Sequence, residues 1–220
     1  MLLQIGDVLA GEVIARLRAQ LGSEQADFAS GKVTAGWYVK SLKSNEQAAG
    51  PAAQDAVAVV QDALLKNPVF MSAARPKEFV RLLVSRYRSG MAYGTHVDDV
   101  LMAGKRTDMS FTLFLSEPDT YDGGELVIEA HDGDTVVKPT AGSMVLYQTT
   151  NLHRVNEVIR GERLAVVGWV RSFIRNAEQR ETLFDLDQVV AASTTLGLDR
   201  TISDRIFKVR NTLTRMWAED

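Results

Sequence analysis

The 220-residue sequence contains no cysteine, only three histidines and no large excess of either charge. Without cysteine the chain can form neither disulfides nor thiolate metal sites. A formal net charge of −3, with scattered basic residues, gives no indication of nucleic-acid binding. No apolar run approaches the roughly 20 residues of a membrane-spanning helix, and the amino-terminal segment lacks the basic region of a signal peptide. We therefore expect one cytoplasmic domain with no nucleic-acid or membrane partner.

The first 75 or so residues are predicted to be mostly helical. Apolar residues at helical spacing favour a first helix that is capped by Asp7 and ended by Gly22. Pro51 suits the first turn of a second helix that runs to about Lys66. Between these helices, residues 36–39 have the composition of a short strand.

From Phe79 onward, β-branched and aromatic residues alternate with turn signals such as Asp122-Gly123-Gly124. Short strands separated by such turns are typical of a β-sandwich or barrel. We predict a mainly β protein with flanking helices (α+β), built on a double-stranded β-helix, or jelly roll. The predicted strands lie near residues 79–88, 109–115, 125–129, 135–138, 143–147, 152–158 and 162–173.

The segment after residue 177 returns to a helical pattern and predicts a helical hairpin. Thr201 followed by Asp204 resembles a capping box for its second helix. This hairpin has an apolar face that packs either on its own jelly roll or on a second copy of the chain. We accordingly divide the sequence into amino-terminal helices with a short strand (1–78), the jelly roll (79–176) and a carboxy-terminal helical extension (177–220).

A candidate metal site is formed by His96-Val97-Asp98 together with His153. In an extended segment, residues i and i+2 point to the same side, so His96 and Asp98 can reach one metal if residues 95–98 are extended. Two histidines and one carboxylate that leave coordination positions open form the ligand set of non-haem Fe(II) oxygenases. Taken alone, His-x-Asp is a weak motif, and a surface turn is the simpler interpretation.

The spacing between His153 and Arg163 predicts that both side chains point into one interior. If residues 159–161 form a three-residue hairpin loop with Gly161 left-handed, His153 opposes Val167 and Arg163 opposes Glu157. The two side chains then share one face of the sheet.

An arginine at this position suits a carboxylate ligand, because its planar guanidinium can bind both carboxylate oxygens. The predicted offset of roughly 13 Å along the strands can be spanned by the two side chains together with a five-carbon dicarboxylate such as 2-oxoglutarate, bound to the metal at its other end. The alternative is that Arg163 lies at a strand edge and pairs with Glu157 or Glu162.

Several segments together carry a resemblance to a known family. They are Tyr87-x-x-Gly90-x-x-Tyr93-x-x-His96-Val97-Asp98, Thr112 to Leu115, Gly123 to Leu126, Pro139 to Gly142, and His153 with Arg163. The order and spacing of these segments resemble those of the 2-oxoglutarate- and Fe(II)-dependent dioxygenases of the prolyl 4-hydroxylase type. The chain is most similar to the small bacterial PKHD-type hydroxylases. The resemblance covers about residues 79–173 and extends through the helical tail.

The resemblance implies that His96, Asp98 and His153 are the catalytic metal ligands and bind Fe(II). It also implies that Arg163 binds the 5-carboxylate of 2-oxoglutarate and that Tyr87 contacts this cosubstrate. The implied enzyme uses O2 to convert 2-oxoglutarate to succinate and CO2 while it hydroxylates an unactivated C–H bond. The family name suggests a peptidyl proline or lysine as the prime substrate, and a small molecule is the alternative. Ascorbate is the implied reductant.

Other interpretations of these residues stay open at this point. Tyr87 and Trp169 are either pocket residues or ordinary core aromatics, and Tyr93 is placed at the substrate entrance. His131, beside Asp132-Gly133, is predicted to lie at a hairpin tip and not to bind the metal. The alternatives to an oxygenase are a zinc-type hydrolase using the same ligands and a jelly roll that only binds a ligand.

Overall fold

The structure, a computed structural model, describes residues 1–22, 26–34, 36–130 and 132–219. Its strands are β1 Leu2–Ile5, β2 Asp27–Ser30, β3 Glu46–Ala49, β4 Pro76–Arg88, β5 Tyr93–His96, β6 Leu101–Met102, β7 Lys105–Arg106, β8 Met109–Phe114, β9 Asp122–Gly123, β10 Leu126–Ile128, β11 Thr135–Val137, β12 Met144–Gln148, β13 His153–Val155, β14 Val158–Arg160 and β15 Glu162–Ser172. The α-helices are α1 Gly11–Leu21, α2 Gly50–Lys66, α3 Pro68–Ala74, α4 Ala177–Thr195 and α5 Arg200–Trp217, and two 3-10 helices cover Gly31–Thr34 and Lys40–Leu42. None of the described helices is long and apolar enough to cross a membrane.

Two antiparallel sheets form the body of the molecule. The larger sheet has seven strands in the order β1-β12-β8-β15-β4-β3-β2, and the smaller has four in the order β11-β10-β13-β5. Side chains from both sheets meet in a shared apolar cluster that includes Phe114 of β8, Tyr147 of β12 and Ile128 of β10. The sheets therefore face each other, and the predicted mainly β jelly roll with flanking helices is confirmed.

The seven-stranded sheet is covered on both faces, because successive side chains of a strand point to opposite sides. From β15, Leu164, Val166 and Val170 pack against the helices, whereas Arg163 and Trp169 point toward the smaller sheet. The helix side is supplied by apolar residues of the three amino-terminal helices, among them Leu17, Ala56, Val60, Leu64 and Phe70. Burial of each leucine-sized side chain contributes about 1.5–3 kcal/mol, so this layer holds the sheet that carries the pocket.

The amino-terminal region differs from the sequence prediction in several places, and it contains the unpredicted elements β2, β3 and α3. Residues 2–5 form an edge strand of the larger sheet, α1 begins only at Gly11, and its N-cap is Ala10. Asp7 instead adopts a left-handed backbone conformation (φ 52°) before the helix. Residues 37–39 form a turn, because the side chains of Trp37 and Tyr38 remain 90% and 75% exposed and find no sheet surface to pack on.

The carboxy-terminal hairpin forms as predicted, with a different cap. Asp199 rather than Thr201 caps α5, because the Asp199 side chain accepts a hydrogen bond from the Thr201 N–H at 2.9 Å. Helix α4 docks on its own chain, because Asp187 accepts a hydrogen bond from Arg75 at 2.6 Å and Leu183 is completely buried. Helix α5 packs on α4 and buries none of its side chains fully.

Candidate active site

Three side chains with metal-binding chemistry converge between the two sheets. His96 ends β5 and directly opposes His153, the first residue of β13, so that their ring centroids lie 4.2 Å apart. Asp98 follows two residues after β5, and its carboxylate oxygens lie 3.7 Å from the Nε2 atoms of both histidines. Candidate ligand atoms of the three residues all lie within 4.8 Å of one another. The spacing that the sequence singled out therefore brings two nitrogens and one carboxylate to a single point.

Hydrogen bonds fix the orientation of all three groups. The Nδ1 atoms of His96 and His153 donate to the carbonyl oxygens of Gly94 (2.8 Å) and Asn151 (3.0 Å), because a carbonyl can only accept. Each histidine is thereby left with a free Nε2, the arrangement that metal-binding histidines commonly have. Burial, with the nearby His153, lowers the pKa of His96 to about 4, so its imidazole is neutral at physiological pH.

The carboxylate of Asp98 is held by a serine that the sequence did not single out. The Ser110 hydroxyl donates to Asp98 Oδ2 at 2.7 Å and lies 3.1 Å from Thr149 Oγ1. This contact restricts the rotation of the carboxylate and leaves Oδ1 directed toward His96. Ser110 lies on β8, on the same face as Thr112, and alternation along this strand is the signal that could have identified it.

Arg163 is completely buried and has no carboxylate partner among the residues that the structure describes. Only 1% of its surface is exposed, its Nε has no hydrogen-bond partner, and its guanidinium lies 5.3 Å and 4.9 Å from the rings of Tyr87 and Phe114. Glu162 pairs instead with Arg88 at 3.3 Å. The strand-edge alternative for Arg163 is therefore wrong. A buried cation without a partner is costly, and this cost indicates a site for an anionic ligand.

The predicted hairpin between His153 and Arg163 is wrong, although both side chains line one cavity. Strand β13 pairs with β10 and β5 in the smaller sheet, whereas β15 pairs with β4 and β8 in the larger one. His153 opposes His96 and not Val167. Gly161 does have the predicted left-handed conformation (φ 80°). The turn signal was correct, but it does not specify which strand the chain joins after the turn.

The cavity contains further polar residues that the sequence analysis missed. Tyr147 of β12 is buried with its ring 5.0 Å from that of His153, and burial raises the pKa of its hydroxyl, which stays protonated. Asn45 Nδ2 donates to Ser85 Oγ at 2.7 Å, and Lys43 also lines the wall. Tyr87, Tyr93 and Trp169 all line the same cavity, so none of the three is only a core aromatic.

Comparisons with known proteins now decide the family. The sequence profile of the 2OG-Fe(II) oxygenase superfamily matches residues 82–171. The PKHD-type hydroxylase of Maricaulis maris is 50% identical over 221 residues, and that of Parvibaculum lavamentivorans is 48% identical over 222, each alignment covering 100% of both chains. The chain belongs to the PKHD-type hydroxylase family. It is a 2-oxoglutarate-dependent oxygenase, and its family uses Fe(II) and 2-oxoglutarate.

Solved structures of low sequence identity show the same fold. A prolyl-4-hydroxylase from Pseudomonas putida matches with a TM-score of 0.57 at 22% identity, over 78% of this chain and 92% of that one. A prolyl hydroxylase from Trichoplax adhaerens, solved with a hypoxia inducible factor peptide fragment, matches with a TM-score of 0.57 at 14% identity, over 83% and 86%. His131, predicted not to bind metal, lies outside the described residues of this hydroxylase.

Proposed function

We propose that His96, Asp98 and His153 bind Fe(II), and that Arg163 binds the 5-carboxylate of 2-oxoglutarate with Tyr87 beside it. The enzyme then hydroxylates an unactivated C–H bond while 2-oxoglutarate is converted to succinate and CO2. The observation that carries this proposal is the buried, unpaired guanidinium of Arg163 in the same cavity as the metal-binding triad. A dicarboxylate bound to the metal at one end supplies the anion that this guanidinium lacks.

The donor set fits Fe(II). Two imidazole nitrogens and one carboxylate on one side leave coordination positions open for a cosubstrate and oxygen. When bound, iron and 2-oxoglutarate supply the oxygen-activating chemistry, whereas the protein supplies position and environment. Ascorbate is the reductant that we propose for restoring Fe(II).

The protein groups have separate tasks in this scheme. The backbone carbonyls of Gly94 and Asn151 keep the two histidines in the tautomer that presents Nε2. Ser110 holds the Asp98 carboxylate, and this contact favours binding through one oxygen. Leu126 and Val155 wall the cavity on the side of the smaller sheet and exclude water from the reacting groups.

The prime substrate is proposed by analogy with the structural neighbours. Two of them are named as prolyl hydroxylases, and one was solved with a peptide fragment. On that basis a peptidyl proline or lysine is the substrate to test first, with a small molecule as the alternative. A zinc-type hydrolase is disfavoured, because hydrolysis gives the buried Arg163 no ligand.

A single assay tests the reaction class. The protein is loaded with Fe(II) or with zinc, and 2-oxoglutarate-dependent release of succinate is measured under air. We expect turnover with Fe(II) only. The matched pair Arg163→Ala and Arg160→Ala separates the cosubstrate site from surface charge, since Arg160 is exposed and paired with Asp122 at 2.8 Å. Succinate release that is equal with zinc, or equal in both variants, would contradict the proposal.

A further inference from the structure

The cavity extends along β15 from Arg163 to Trp169, which opposes Ser110, the residue that holds Asp98. We call the region around Trp169 the outer lobe. It is defined by Lys43, Arg81, Asp99 and Trp169, all of which line the same cavity as the triad. The 2-oxoglutarate scheme uses none of these four residues. Their chemistry therefore bears on the remaining ligand, the prime substrate.

Lys43 is a buried cation next to the metal-binding triad. It is 8% exposed, its Nζ lies 4.9 Å from the Tyr93 ring centroid, and that ring stacks on His96 with a centroid distance of 3.6 Å. Its one hydrogen bond goes to a neutral acceptor, Thr34 Oγ1, at 3.3 Å, and no carboxylate forms an ion pair with it within the described part of the chain. Burial lowers the pKa of Lys43 to about 8, although Asp98 opposes this shift. A bound anion would offset the cost of burying this charge.

Arg81 and Trp169 add two further hydrogen-bond donors to the lobe. They oppose each other directly across β4 and β15, so their side chains share the pocket face of the sheet. The indole Nε1 of Trp169 is buried without a hydrogen-bond partner, although buried indole N–H groups normally have one. Arg81 is exposed at the rim, and no described carboxylate pairs with it. Asp99 is the one acid in the lobe; it is also exposed, and its Oδ1 lies beside Gly36.

We propose that the outer lobe binds an anionic group of the prime substrate, in the first place a carboxylate, within a few bonds of the carbon that is hydroxylated. Lys43 is the principal contact, because its ammonium is one aromatic ring away from a metal-binding histidine. Trp169 supplies a neutral donor and Arg81 a second charge at the entrance. This inference rests on the proposed function, since it assigns the Arg163 side of the cavity to 2-oxoglutarate.

A matched pair of small probes tests the inference. N-acetyl-L-proline and N-acetyl-L-prolinamide differ only in their carboxylate and amide, and neither requires knowledge of the natural substrate. Each is titrated into the Fe(II)-loaded, 2-oxoglutarate-saturated protein without oxygen, and binding is followed by the acetyl signal in ligand-observed NMR. A charge-assisted hydrogen bond predicts that the acid binds roughly ten-fold or more tightly than the amide. Equal affinities, or no binding of the acid at millimolar concentration, would overturn the inference.

Variants locate the contact. Lys43→Gln should remove the preference for the acid, Lys43→Arg should restore part of it, and Trp169→Phe should reduce it by a few-fold. Lys40→Gln is the matched control, because it makes the same change three residues away on an exposed side chain outside the cavity. If Lys43→Gln and Lys40→Gln leave the preference equally intact, the acid binds elsewhere and the inference is wrong.

Titration of Arg163→Ala and Lys43→Gln with 2-oxoglutarate distinguishes failure of the proposed function from failure of the outer-lobe inference. Arg163→Ala should weaken 2-oxoglutarate binding far more than Lys43→Gln does. If Arg163→Ala has no such effect, the cosubstrate assignment fails, while the acid-over-amide preference is still read in the Fe(II)-loaded protein. If only the acid preference is missing, the proposed oxygenase site stands and the outer-lobe inference fails.

Discussion

The two faces of β15 differ in a way that separates folding from function. On the helix side, Leu164 and Val166 are buried among apolar residues of the amino-terminal helices. On the pocket side of the same strand, Arg163 and Trp169 each keep a buried nitrogen without a hydrogen-bond partner. Adjacent residues of one strand thus differ in whether their side chains find partners within the protein. The helix side buries apolar side chains against each other, whereas the pocket side leaves polar groups that are available to a ligand.

This contrast has an energetic consequence for the ligand-free protein. Apolar burial on the helix side contributes stability, and the unpaired polar groups on the pocket side reduce it. Ligand binding recovers this loss, because a ligand that binds only the folded state adds to its stability. Substitutions on the two faces should therefore separate stability from ligand binding.

The largest effect is expected at the triad on the pocket side. His153→Ala removes one of three ligands, and we expect loss of Fe(II) binding and of 2-oxoglutarate decarboxylation without loss of the fold. Iron content after anaerobic reconstitution and circular dichroism measure the two quantities. His131→Ala is the control, since that histidine is predicted not to bind the metal. Iron retained by the His153 variant at the level of this control would refute the ligand assignment.

The helix side should show the opposite response. Leu164→Ala removes a buried side chain from the layer under the helices, and we expect the free energy of unfolding to fall by about 2–5 kcal/mol. The 2-oxoglutarate affinity of the folded protein should stay the same. Ile159→Ala, at a side chain that is 69% exposed, should change stability by less than about 0.5 kcal/mol. Denaturant unfolding and ligand titration decide both points.

Arg163→Met should separate ligand affinity from protein stability most directly. Loss of the charged contact is expected to weaken 2-oxoglutarate binding by about 1.5–3 kcal/mol, which corresponds to roughly 10- to 150-fold in affinity. The ligand-free variant should be at least as stable as the unaltered protein, because an unpaired buried charge has been replaced by an apolar side chain of similar length. Arg163→Lys should keep part of the affinity, since the charge remains but the planar guanidinium is lost. Thermal unfolding with and without 2-oxoglutarate measures both effects. A ligand-free Arg163→Met protein that is less stable than the unaltered protein would contradict this account.

The comparison also explains what the sequence could predict. Periodicity identified the longer strands of both sheets, because alternation and turn signals are local properties. It missed the short strands β1, β2 and β3, of which β1 pairs with β12 about 140 residues further along the chain. It also paired His153 with the wrong strand. Pairing partners in a jelly roll depend on long-range contacts that no local pattern encodes.

The pocket was predictable only in part for the same reason. The triad and Arg163 carry a recognisable spacing, whereas Lys43 reaches the site through an isolated bridge to Tyr93, fifty residues away. Ser110 and Tyr147 lie on the pocket side of their strands, and correct strand parity would have placed them there.

The smallest predicted effect distinguishes the two interpretations of Tyr87. This residue directly opposes Arg163 in the sheet, and its ring lies 5.3 Å from the guanidinium. If its hydroxyl contacts 2-oxoglutarate, Tyr87→Phe should weaken binding by about 0.5–1.5 kcal/mol, the usual net contribution of one neutral hydrogen bond. Tyr38→Phe, at a 75% exposed side chain, is the control and should have no effect. If the affinity of the Tyr87 variant equals that of the control, Tyr87 acts only as an aromatic wall beside Arg163. The cosubstrate contact must then be reassigned to another group in the cavity, and the buried hydroxyl of Tyr147 is the next to test.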